Sequence, residues 1–428
     1  METTTGVANP AATTATGPAF VAAGTEFRVD VDVLDAEGAL TPNYGRELAA
    51  EGIRLASSSL ELPIGGRNGS SGTGVLPNDT AFTTTATPGR FANNTVAFDE
   101  VGIVRLAASV ADGDYLGSGP LSGPASGNVG RFRVATFDLV AGATVTPACA
   151  TFTYMAQPAL GVDYVIEARN ALAGRVWNYD TTLLGGGAVA AIAPVAENAD
   201  AGVDLGARLS GSVGNWVLGR VSVNTGAATF ARGLGADGPF DGLQFGMRVD
   251  DPIDSITLSA RDMLASASGD CVTAGTCDAV RIGLPTIVRY GRLMVKGALG
   301  PETQDLAVPL EAQYFDGSLF RPNTLDNCTP YAMPQVSLGG YLGNLAAGET
   351  TLIGPLASGT LVGGASSATQ PLLLSAPDIP NDGSVDVTFD APTFLEYDWN
   401  GTGNVDPLGK AQFGRYRGHD RIIFWRER

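Results

Sequence analysis

The sequence predicts an all-β protein built from tandem β-sandwich modules of the immunoglobulin-like kind. Its 57 Gly and 25 Pro residues make up about a fifth of the chain, a composition typical of many short strands joined by turns. Residues Thr25–Val33 alternate apolar and polar side chains, which indicates a half-buried antiparallel strand. The length of 428 residues exceeds one sandwich and favours about two to four domains.

Shifts in composition divide the chain into four parts. Residues 1–17 are rich in Thr, Ala and Gly and are expected to form a linker. We expect an immunoglobulin-like sandwich over 18–127, a second sandwich over 128–285 and a C-terminal sandwich over 286–428. The first boundary is placed at Ser118–Gly127 because this stretch is rich in Gly, Ser and Pro.

Further strands are expected where short runs are apolar or alternate in polarity. They are Gly52–Ala56, Thr95–Phe98, Gly102–Val110, Phe152–Met155, Asp163–Arg169, Ala188–Ile192, Trp216–Asn224, Leu243–Val249, Ile256–Ala260, Gly291–Val295, Ala307–Tyr314, Gln370–Ser375, Ser384–Phe389 and Arg421–Arg426.

A weak internal repeat accompanies these strands. In each module a strand leads into an Asp/Asn-to-Gly turn, and an Asn follows a few residues later. The turns begin at Asp35, Asn170 and Asp316, reach Gly38, Gly174 and Gly317, and precede Asn43, Asn178 and Asn323. The recurrent Asn favours three related sandwiches. The alternative is that such hairpins recur simply because Asp and Gly suit tight turns.

The charge balance argues against two classes of partner. With 26 Lys and Arg against 44 Asp and Glu, the formal net charge is −18. Nucleic acids and anionic membrane surfaces both require basic footprints. An acidic surface suits solubility outside the cell and the binding of divalent cations.

A single histidine limits the catalytic chemistry. His419 lies in a charged turn and is expected to be an ordinary surface residue. Ser–His, Cys–His and zinc–histidine sites each need a placed imidazole. The Gly-rich stretch Gly185–Gly187 lacks the Lys of a phosphate loop. We therefore predict no enzymatic activity, with a carboxylate-based hydrolase as an alternative.

Four cysteines indicate disulfides in an oxidising compartment. Cys271 and Cys277 flank a five-residue loop that a local bridge can close, which leaves Cys149 with Cys328. Two other connectivities are possible. A zinc site is a further alternative, although no C-x-x-C pair is present.

Targeting signals are not evident in the sequence. No run of 18 apolar residues is present, and Met1–Thr5 lacks the basic and apolar regions of a signal peptide. If the cysteines are paired, we expect that a signal was removed and that the first residues belong to a fragment.

Alternating oxygen side chains at 398–406 predict a calcium loop. Asp398, Asn400, Thr402 and Asp406 are the candidate ligands, with glycines between them. The spacing resembles the start of a calcium-binding loop but lacks its closing Glu. An Asn-Gly hairpin is the alternative. A second acidic concentration, for which turns are again the alternative, consists of Asp237, Asp241, Asp250, Asp251 and Asp254.

Aromatic side chains provide the test of a carbohydrate-binding alternative. A cluster of exposed rings on one sheet would favour it, whereas rings in the core would not. The candidates are Trp177, Tyr179, Trp216, Tyr397 and Trp399.

From Cys149 onward, several phrases resemble one family. They are Cys149–Met155, Asn178-Tyr179, Gly238–Gly246, Arg289–Leu293, Asn323–Thr329, Phe413–Gly418 and Ile422–Glu427. Together they resemble the C-terminal region of the MSHA pilus biogenesis protein MshQ and related bacterial surface proteins, an uncharacterised-domain family.

The resemblance covers roughly residues 130–428. It implies a large secreted or surface protein associated with type IV pili of the mannose-sensitive haemagglutinin kind. It also implies that Cys149 and Cys328 belong to the family pattern, which agrees with pairing them. No catalytic residue is implied. Family members often carry a lectin-like module upstream, so their sugar binding need not reside in this chain.

These observations lead to one functional expectation. We expect a non-enzymatic, secreted bacterial protein with a structural or adhesive role, associated with an MSHA-like type IV pilus or the cell surface. Its expected partners are pilus or other surface subunits and a glycan or host-surface ligand, with no nucleic acid and no membrane insertion. The alternative function is that of a carbohydrate-binding module in a secreted protein.

Overall fold

The computed structural model describes residues 1–187, 189–199, 201–211, 213–224, 226, 228–267, 269–271 and 275–414. These residues form strands and two short 3₁₀ helices, Gly206–Arg208 and Met333–Gln335. No helix among them is long and apolar enough to cross a membrane. The all-β prediction is confirmed.

The first sandwich consists of two sheets. One has the strand order β1-β2-β5-β4 and the other β3-β6-β7. The strands are β1 Glu2–Thr3, β2 Phe27–Asp32, β3 Ile53–Leu62, β4 Thr83–Thr84, β5 Arg90–Val96, β6 Gly102–Val110 and β7 Val129–Phe132. Both sheets contribute to one core, in which Phe27 and Val29 pack with Leu106 and Phe132. Because β2 alternates, its polar residues remain at the surface.

The second sandwich also has two main sheets, β10-β17-β16-β12 and β14-β11-β8, with β9 paired to β11. A short ladder joins β13 to β15. The strands are β8 Thr136–Leu139, β9 Thr144–Thr146, β10 Phe152–Tyr154, β11 Gly161–Arg169, β12 Ala191–Asn198, β13 Leu209–Ser210, β14 Arg220–Val223, β15 Thr229–Phe230, β16 Phe240–Asp250 and β17 Val280–Arg289. The two main sheets enclose the largest core of the protein.

The third sandwich contains the sheets β18-β21-β22, β19-β29-β28-β24, β20-β27-β25 and β23-β26 around one core. The strands are β18 Gly291–Val295, β19 Ala298–Gly300, β20 Leu306–Val308, β21 Leu310–Phe315, β22 Phe320–Pro322, β23 Pro330–Tyr331, β24 Val336–Gly343, β25 Leu352–Gly354, β26 Gly359–Thr360, β27 Leu372–Leu374, β28 Gly383–Phe389 and β29 Leu408–Phe413.

The structure differs from the sequence expectation at the start of the chain. Residues 1–17, expected as a linker, lie along the first sandwich. Glu2–Thr3 pairs with β2, and the N–H of Ala12 donates to the carbonyl of Gly130 at 3.0 Å. Composition did not reveal this because the segment is held by backbone and Asn side-chain hydrogen bonds rather than by a hydrophobic pattern.

Two other expectations concern strands. Ile256–Ala260, expected as a strand, forms only the isolated bridge of Leu258 to Phe137. The expected strand Arg421–Arg426 lies outside the described residues, as does His419. The first sandwich extends past residue 127, because β7 pairs with β6 and Phe132 lies in its core.

Candidate functional site

A disulfide ties the second sandwich to the third. Cys149, just before β10, bonds to Cys328, just before β23, with the Cα atoms 5.7 Å apart. Cys271 and Cys277 close a local loop with Cα atoms 5.3 Å apart. Both pairings are those that the sequence predicts, and no cysteine remains free. We call the contact of the second and third sandwiches the disulfide junction.

A chain of buried polar side chains crosses the disulfide junction. The Tyr154 hydroxyl donates to Oδ2 of Asp326 at 2.9 Å, and Nδ2 of Asn323 donates to the Tyr154 oxygen at 2.8 Å. Nη1 of Arg289 donates to Oδ1 of Asn323 at 2.9 Å. Tyr154 and Arg289 belong to strands of the second sandwich, whereas Asn323 and Asp326 belong to the third.

Because the polar side chains in this series are buried, each of them needs hydrogen-bond partners within the protein. Tyr154, Asn323 and Asp326 are fully buried, and a buried polar group without a partner is costly. Burial, followed by the neighbouring Asp326 carboxylate, raises the pKa of Tyr154 well above its usual value. The phenol is therefore a neutral donor. Gly291 is needed beside it, because a Cβ at this position would collide with the Tyr154 ring.

Asp326 also shapes the loop that carries the cysteine. Its Oδ1 accepts the N–H groups of Cys328 at 3.1 Å and Thr329 at 2.9 Å, and its Oδ2 accepts the Thr329 hydroxyl at 2.7 Å. This turn places Cys328 opposite Cys149. The three side chains Cys149, Asp326 and Cys328 lie close enough to hold a metal, but the disulfide and these hydrogen bonds already use their ligand atoms.

Arg232 provides a second link across the disulfide junction. Its guanidinium donates to the carbonyl oxygens of Phe394, of Glu396 at 2.8 Å and of Gly291 at 2.8 Å. It also lies 4.5 Å from the centroid of the Tyr290 ring. Arg232 thus fastens the second sandwich to the loop that follows β28 in the third.

The first and second sandwiches meet at a buried carboxylate, and we call this contact the Glu100 junction. Oε1 and Oε2 of Glu100 accept the N–H groups of Trp177 at 2.8 Å and Asn178 at 3.0 Å. Asn178 donates to the carbonyls of Arg67 at 2.8 Å and Val101 at 3.1 Å, and it accepts the Arg67 N–H at 2.6 Å. Burial raises the pKa of Glu100 to about 7.

A stacked tryptophan closes the Glu100 junction on one side. The Trp177 ring has the guanidinium of Arg67 at 4.0 Å and that of Arg175 at 3.5 Å from its centroid. Arg67 belongs to the first sandwich and Arg175 to the second. Cation–π contacts of this kind contribute about 0.5–2 kcal/mol each, and the Arg67 contact is the one that joins the two modules.

An ion pair closes the other side of the Glu100 junction. Nη1 of Arg131 donates to Oδ2 of Asp254 at 2.7 Å, and both side chains are nearly buried. Nε of Arg131 donates to the carbonyl of Gly17 at 2.8 Å. A small cavity of about 50 Å³ between the sandwiches is lined by this ion pair and by Asn178 and Tyr179.

The predicted calcium ligands lie in a self-capped turn. Oδ1 of Asp398 accepts the N–H groups of Gly401 at 2.7 Å and Thr402 at 3.0 Å. Against the opposing effect of burial, backbone hydrogen bonds, first from Gly403 and then from Gly401, lower the pKa of Asp398. Asn400 accepts the Thr402 N–H at 3.1 Å. Asp406 instead accepts a hydrogen bond from the backbone of Ala391 at 2.9 Å. The hairpin alternative accounts for these contacts, and calcium binding stays a prediction.

The carboxylates of the second acidic concentration each bind an arginine or the backbone of a turn. Asp237 pairs with Arg208, Asp241 with Arg289, Asp250 with Arg248 and Asp254 with Arg131. Asp251 accepts the N–H groups of Ile253 and Ile256. Each carboxylate therefore has its own local partner.

The five aromatic candidates separate into three environments. Trp216 is buried and stacks edge-on with Tyr179 at 5.0 Å. Trp177 is stacked between arginines. Tyr397 and Trp399 contact each other at 5.2 Å, and Trp399 is 40% exposed. Only the last pair combines contact with exposure.

The Glu100 junction contains residues that the sequence analysis did not single out. Glu100 and Arg67 lie in ordinary loops of the first sandwich, and nothing local distinguishes them. The available signal was Asp99-Glu100, separated only by Val101 from the apolar strand β6, because a carboxylate so close to a core strand is easily buried.

Comparisons with known proteins bear on all three sandwiches. Models of the DUF6701 second, third and fourth domains match residues 1–101, 100–278 and 289–428. The chain belongs to the DUF6701 family. These matches cover nearly the whole chain, so the family extends to the first sandwich as well as to the region that carries the resemblance.

Two other comparisons add little. No curated protein matches the chain. Among solved structures, the ectodomain of human desmocollin-1 is similar at 9% identity and a TM-score of 0.27, over 90% of this chain and 59% of that one. The chain therefore spans less than two thirds of the desmocollin chain, and a likeness at this level supports no conclusion for a DUF6701 protein.

Proposed function

We propose that this DUF6701 chain is a non-enzymatic structural protein of the bacterial exterior. It holds a binding surface at a fixed position on an MSHA-like type IV pilus or on the cell surface. Its three sandwiches act as one braced unit rather than as independently moving domains. The resemblance to the MSHA pilus biogenesis protein motivates the assignment to a pilus.

The observation that carries this proposal is the bracing of both junctions. The Glu100 junction joins modules through a buried carboxylate, an Asn and a tryptophan stacked on Arg67. The disulfide junction adds a covalent bond to a buried polar chain. Because a buried polar group that loses its partner is costly, separating the modules would break this pairing, which favours fixed junctions. Two disulfides are also typical of proteins outside the reducing cytosol.

Localisation in intact cells tests the proposal. Antibodies raised against the 428-residue chain are applied to whole cells, and pili sheared from those cells are probed with the same antibodies. We expect labelling of unpermeabilised cells and recovery in the pilus fraction. Labelling that requires permeabilisation, with no signal in the sheared fraction, would contradict both the surface and the pilus assignment.

Carbohydrate binding is a second candidate function, favoured by the exposed Trp399. Its ring contacts Tyr397, and the guanidinium of Arg292 lies 4.6 Å from its centroid. An aromatic ring held in this way can present a flat apolar face next to polar groups of its own turn.

A glycan array probed with wild-type protein and Trp399→Ala tests this candidate. We expect binding that falls at least tenfold in the variant. Leu356→Ala serves as the control because Leu356 is equally a surface residue, 95% exposed. Binding that survives Trp399→Ala, or no binding of the wild type, would remove this candidate without affecting the structural proposal.

A further inference from the structure

The repeated turn has the same construction in all three sandwiches. In each, the first side chain of the turn accepts backbone N–H groups from residues two to four positions further along. The acceptors are Oδ1 of Asp35, from Glu37 and Ala39, Oδ1 of Asn170, from Leu172 and Gly174, and Oδ1 of Asp316, from Ser318 and Leu319. The three turns therefore mark equivalent positions in the three sandwiches.

The Asn that follows each turn behaves differently in the first sandwich. Asn178 and Asn323 are 3% and 0% exposed, and each bonds to the preceding sandwich through Arg67 or Tyr154. Asn43 is exposed. Its side chain makes no hydrogen bond to any residue that the structure describes.

In the second and third sandwiches, the strand before the turn pairs with an entering strand at its outer edge. In the second sandwich, β8 pairs antiparallel with β11, Thr136 opposite Arg169 and Leu139 opposite Ile166. In the third, β18 pairs with β21 from Gly291 opposite Tyr314. Both entering strands begin opposite the end of the partner strand that leads into the turn. Both continue directly from the last strand of the preceding sandwich, β7 or β17.

A short segment flanks each entering strand on its other side. Phe137 of β8 accepts the Ser259 N–H at 2.7 Å, and Leu293 of β18 donates to the Leu395 carbonyl at 2.8 Å. These segments follow β16 and β28. The corresponding segment of the first sandwich, Leu121–Pro124, follows β6 and bonds to it, with the Gly123 N–H donating to Ala108 at 2.8 Å.

The first sandwich lacks most of the entering strand. β1 pairs with β2 only at Phe27 and Arg28, far from the turn. The N–H of Val33 donates to the carbonyl of Gly89, on the side of β2 that faces β5. Because N–H groups alternate in direction along a strand, those of Asp30 and Asp32 point to the opposite edge of β2. No described strand pairs with them there.

A groove occupies the position of the missing strand. It has a volume of about 270 Å³ and is lined by Val31–Leu34 on one side and Leu121–Pro124 on the other, with Tyr44 and Ile53 at its base. Leu34 is 54% and Leu121 52% exposed. Open strand edges beside apolar side chains are sites at which a further strand can add.

We propose that this groove and Asn43 are the docking site of a further β-sandwich, one that precedes the first sandwich in the same polypeptide and extends its last strand along β2. The site repeats the Glu100 and disulfide junctions, in which the entering strand is covalently continuous with the preceding module. The proposal goes beyond the proposed function and holds wherever the protein is located.

The direction of β1 supports a covalent source. β1 is antiparallel to β2, with Thr3 opposite Phe27 and Glu2 opposite Arg28. The backbone direction from Thr3 to Glu2 therefore leads along β2 towards the groove. A strand continued in that direction would pass Asp30 and Asp32. The docked module is expected to supply a polar group to Asn43, as Arg67 and Tyr154 do for Asn178 and Asn323.

Hydrogen exchange tests the proposal on the protein as cells make it. Exchange at the amides of Asp30, Asp32 and Ser122 is followed by mass spectrometry in the 428-residue chain and in the protein isolated from its source cells. We expect at least a tenfold slower exchange in the cellular protein, since pairing protects strand amides. Asn43→Ala, introduced in the cells, should reduce this protection, whereas Asn404→Ala, at another exposed Asn, should not.

Three outcomes would overturn the proposal. Equal exchange in both forms would show that the edge is free in the cellular protein. Protection that disappears on dilution, while the polypeptide mass equals that of the 428-residue chain, would assign the groove to a separate subunit. Protection unaffected by Asn43→Ala, with normal folding of that variant, would remove Asn43 from the docking site.

Discussion

Nδ2 of Asn323 in the third sandwich donates to the phenol oxygen of Tyr154 in the second at 2.8 Å, and both side chains are fully buried. The Tyr154 hydroxyl donates in turn to Asp326. The Tyr154 hydroxyl therefore pairs with one donor and one acceptor of the third sandwich, so its removal would leave two buried groups of the disulfide junction without a partner.

Tyr154→Phe should lower the free energy of unfolding by about 1–3 kcal/mol, because it leaves Asn323 and Asp326 each without one buried partner. Urea unfolding followed by tryptophan fluorescence measures the change. Tyr341→Phe is the control, since the hydroxyl of Tyr341, in β24, bonds to no residue in the described ranges. Equal stability of Tyr154→Phe and wild type would show that the polar chain adds nothing to the junction.

The two disulfides should differ in their contribution. The Cys149–Cys328 bridge spans 179 residues and the Cys271–Cys277 bridge spans 6. In the chain-entropy description, their loss costs about 5 and about 2 kcal/mol, respectively. Paired Cys→Ser variants of each bridge, compared by guanidinium unfolding, measure the difference. A larger loss from the local bridge would contradict this order.

Stability should fall as the pH rises because of Glu100. Its pKa is raised to about 7 in the folded protein, above the value near 4.3 of an unfolded chain. The folded state therefore binds the proton more tightly. The resulting stabilisation is complete below about pH 4 and is lost as the pH rises through 7. Between these values the slope approaches about 1.4 kcal/mol per pH unit.

Glu100→Gln should remove this dependence, because the amide does not titrate. Unfolding free energies at several pH values between 4 and 8 test the expectation, and Glu37→Gln, at an exposed position, is the control. An unchanged pH slope in Glu100→Gln would assign the dependence to other groups.

The calcium prediction at Asp398 can be separated from the role of its turn. A bound ion would stabilise the wild type by about 1.4 kcal/mol at ten times Kd, and Asp398→Ala would abolish that gain. The turn alone predicts a loss of about 1 kcal/mol in Asp398→Ala that is the same with calcium and with chelator. Thermal unfolding of both proteins under both conditions distinguishes the two results.

Local patterns predicted the local structure well. The alternation of Thr25–Val33 identified β2, and the Asp/Asn-to-Gly repeat identified three turns whose first side chain caps the backbone. Cysteine spacing also identified the correct bridges. The interactions that form the strand and the turns lie within a few residues of one another. The bridges follow from the pairing of only four cysteines.

The junctions could not be predicted from the sequence. Glu100 meets Trp177 and Asn178 across 77 and 78 residues, and Tyr154 meets Asp326 across 172. Such contacts depend on how whole sheets pack, and no local pattern encodes them. Residues 1–17 illustrate the same limit, because their apparent linker composition conceals hydrogen bonds to residues near 130.

The disulfide between Cys149 and Cys328 also sets the path of a pulling force. When tension acts on the two ends of the chain, the covalent bridge carries it past residues 150–327, so the strands β10 to β22, which lie between the two cysteines, are not stretched. Roughly 600 Å of potential extension is withheld in this way. A cell tethered through this protein would thus load the first sandwich, β8 and β9 of the second, and the strands of the third that follow Cys328, while the segment between the cysteines would stay unextended until the bridge is reduced.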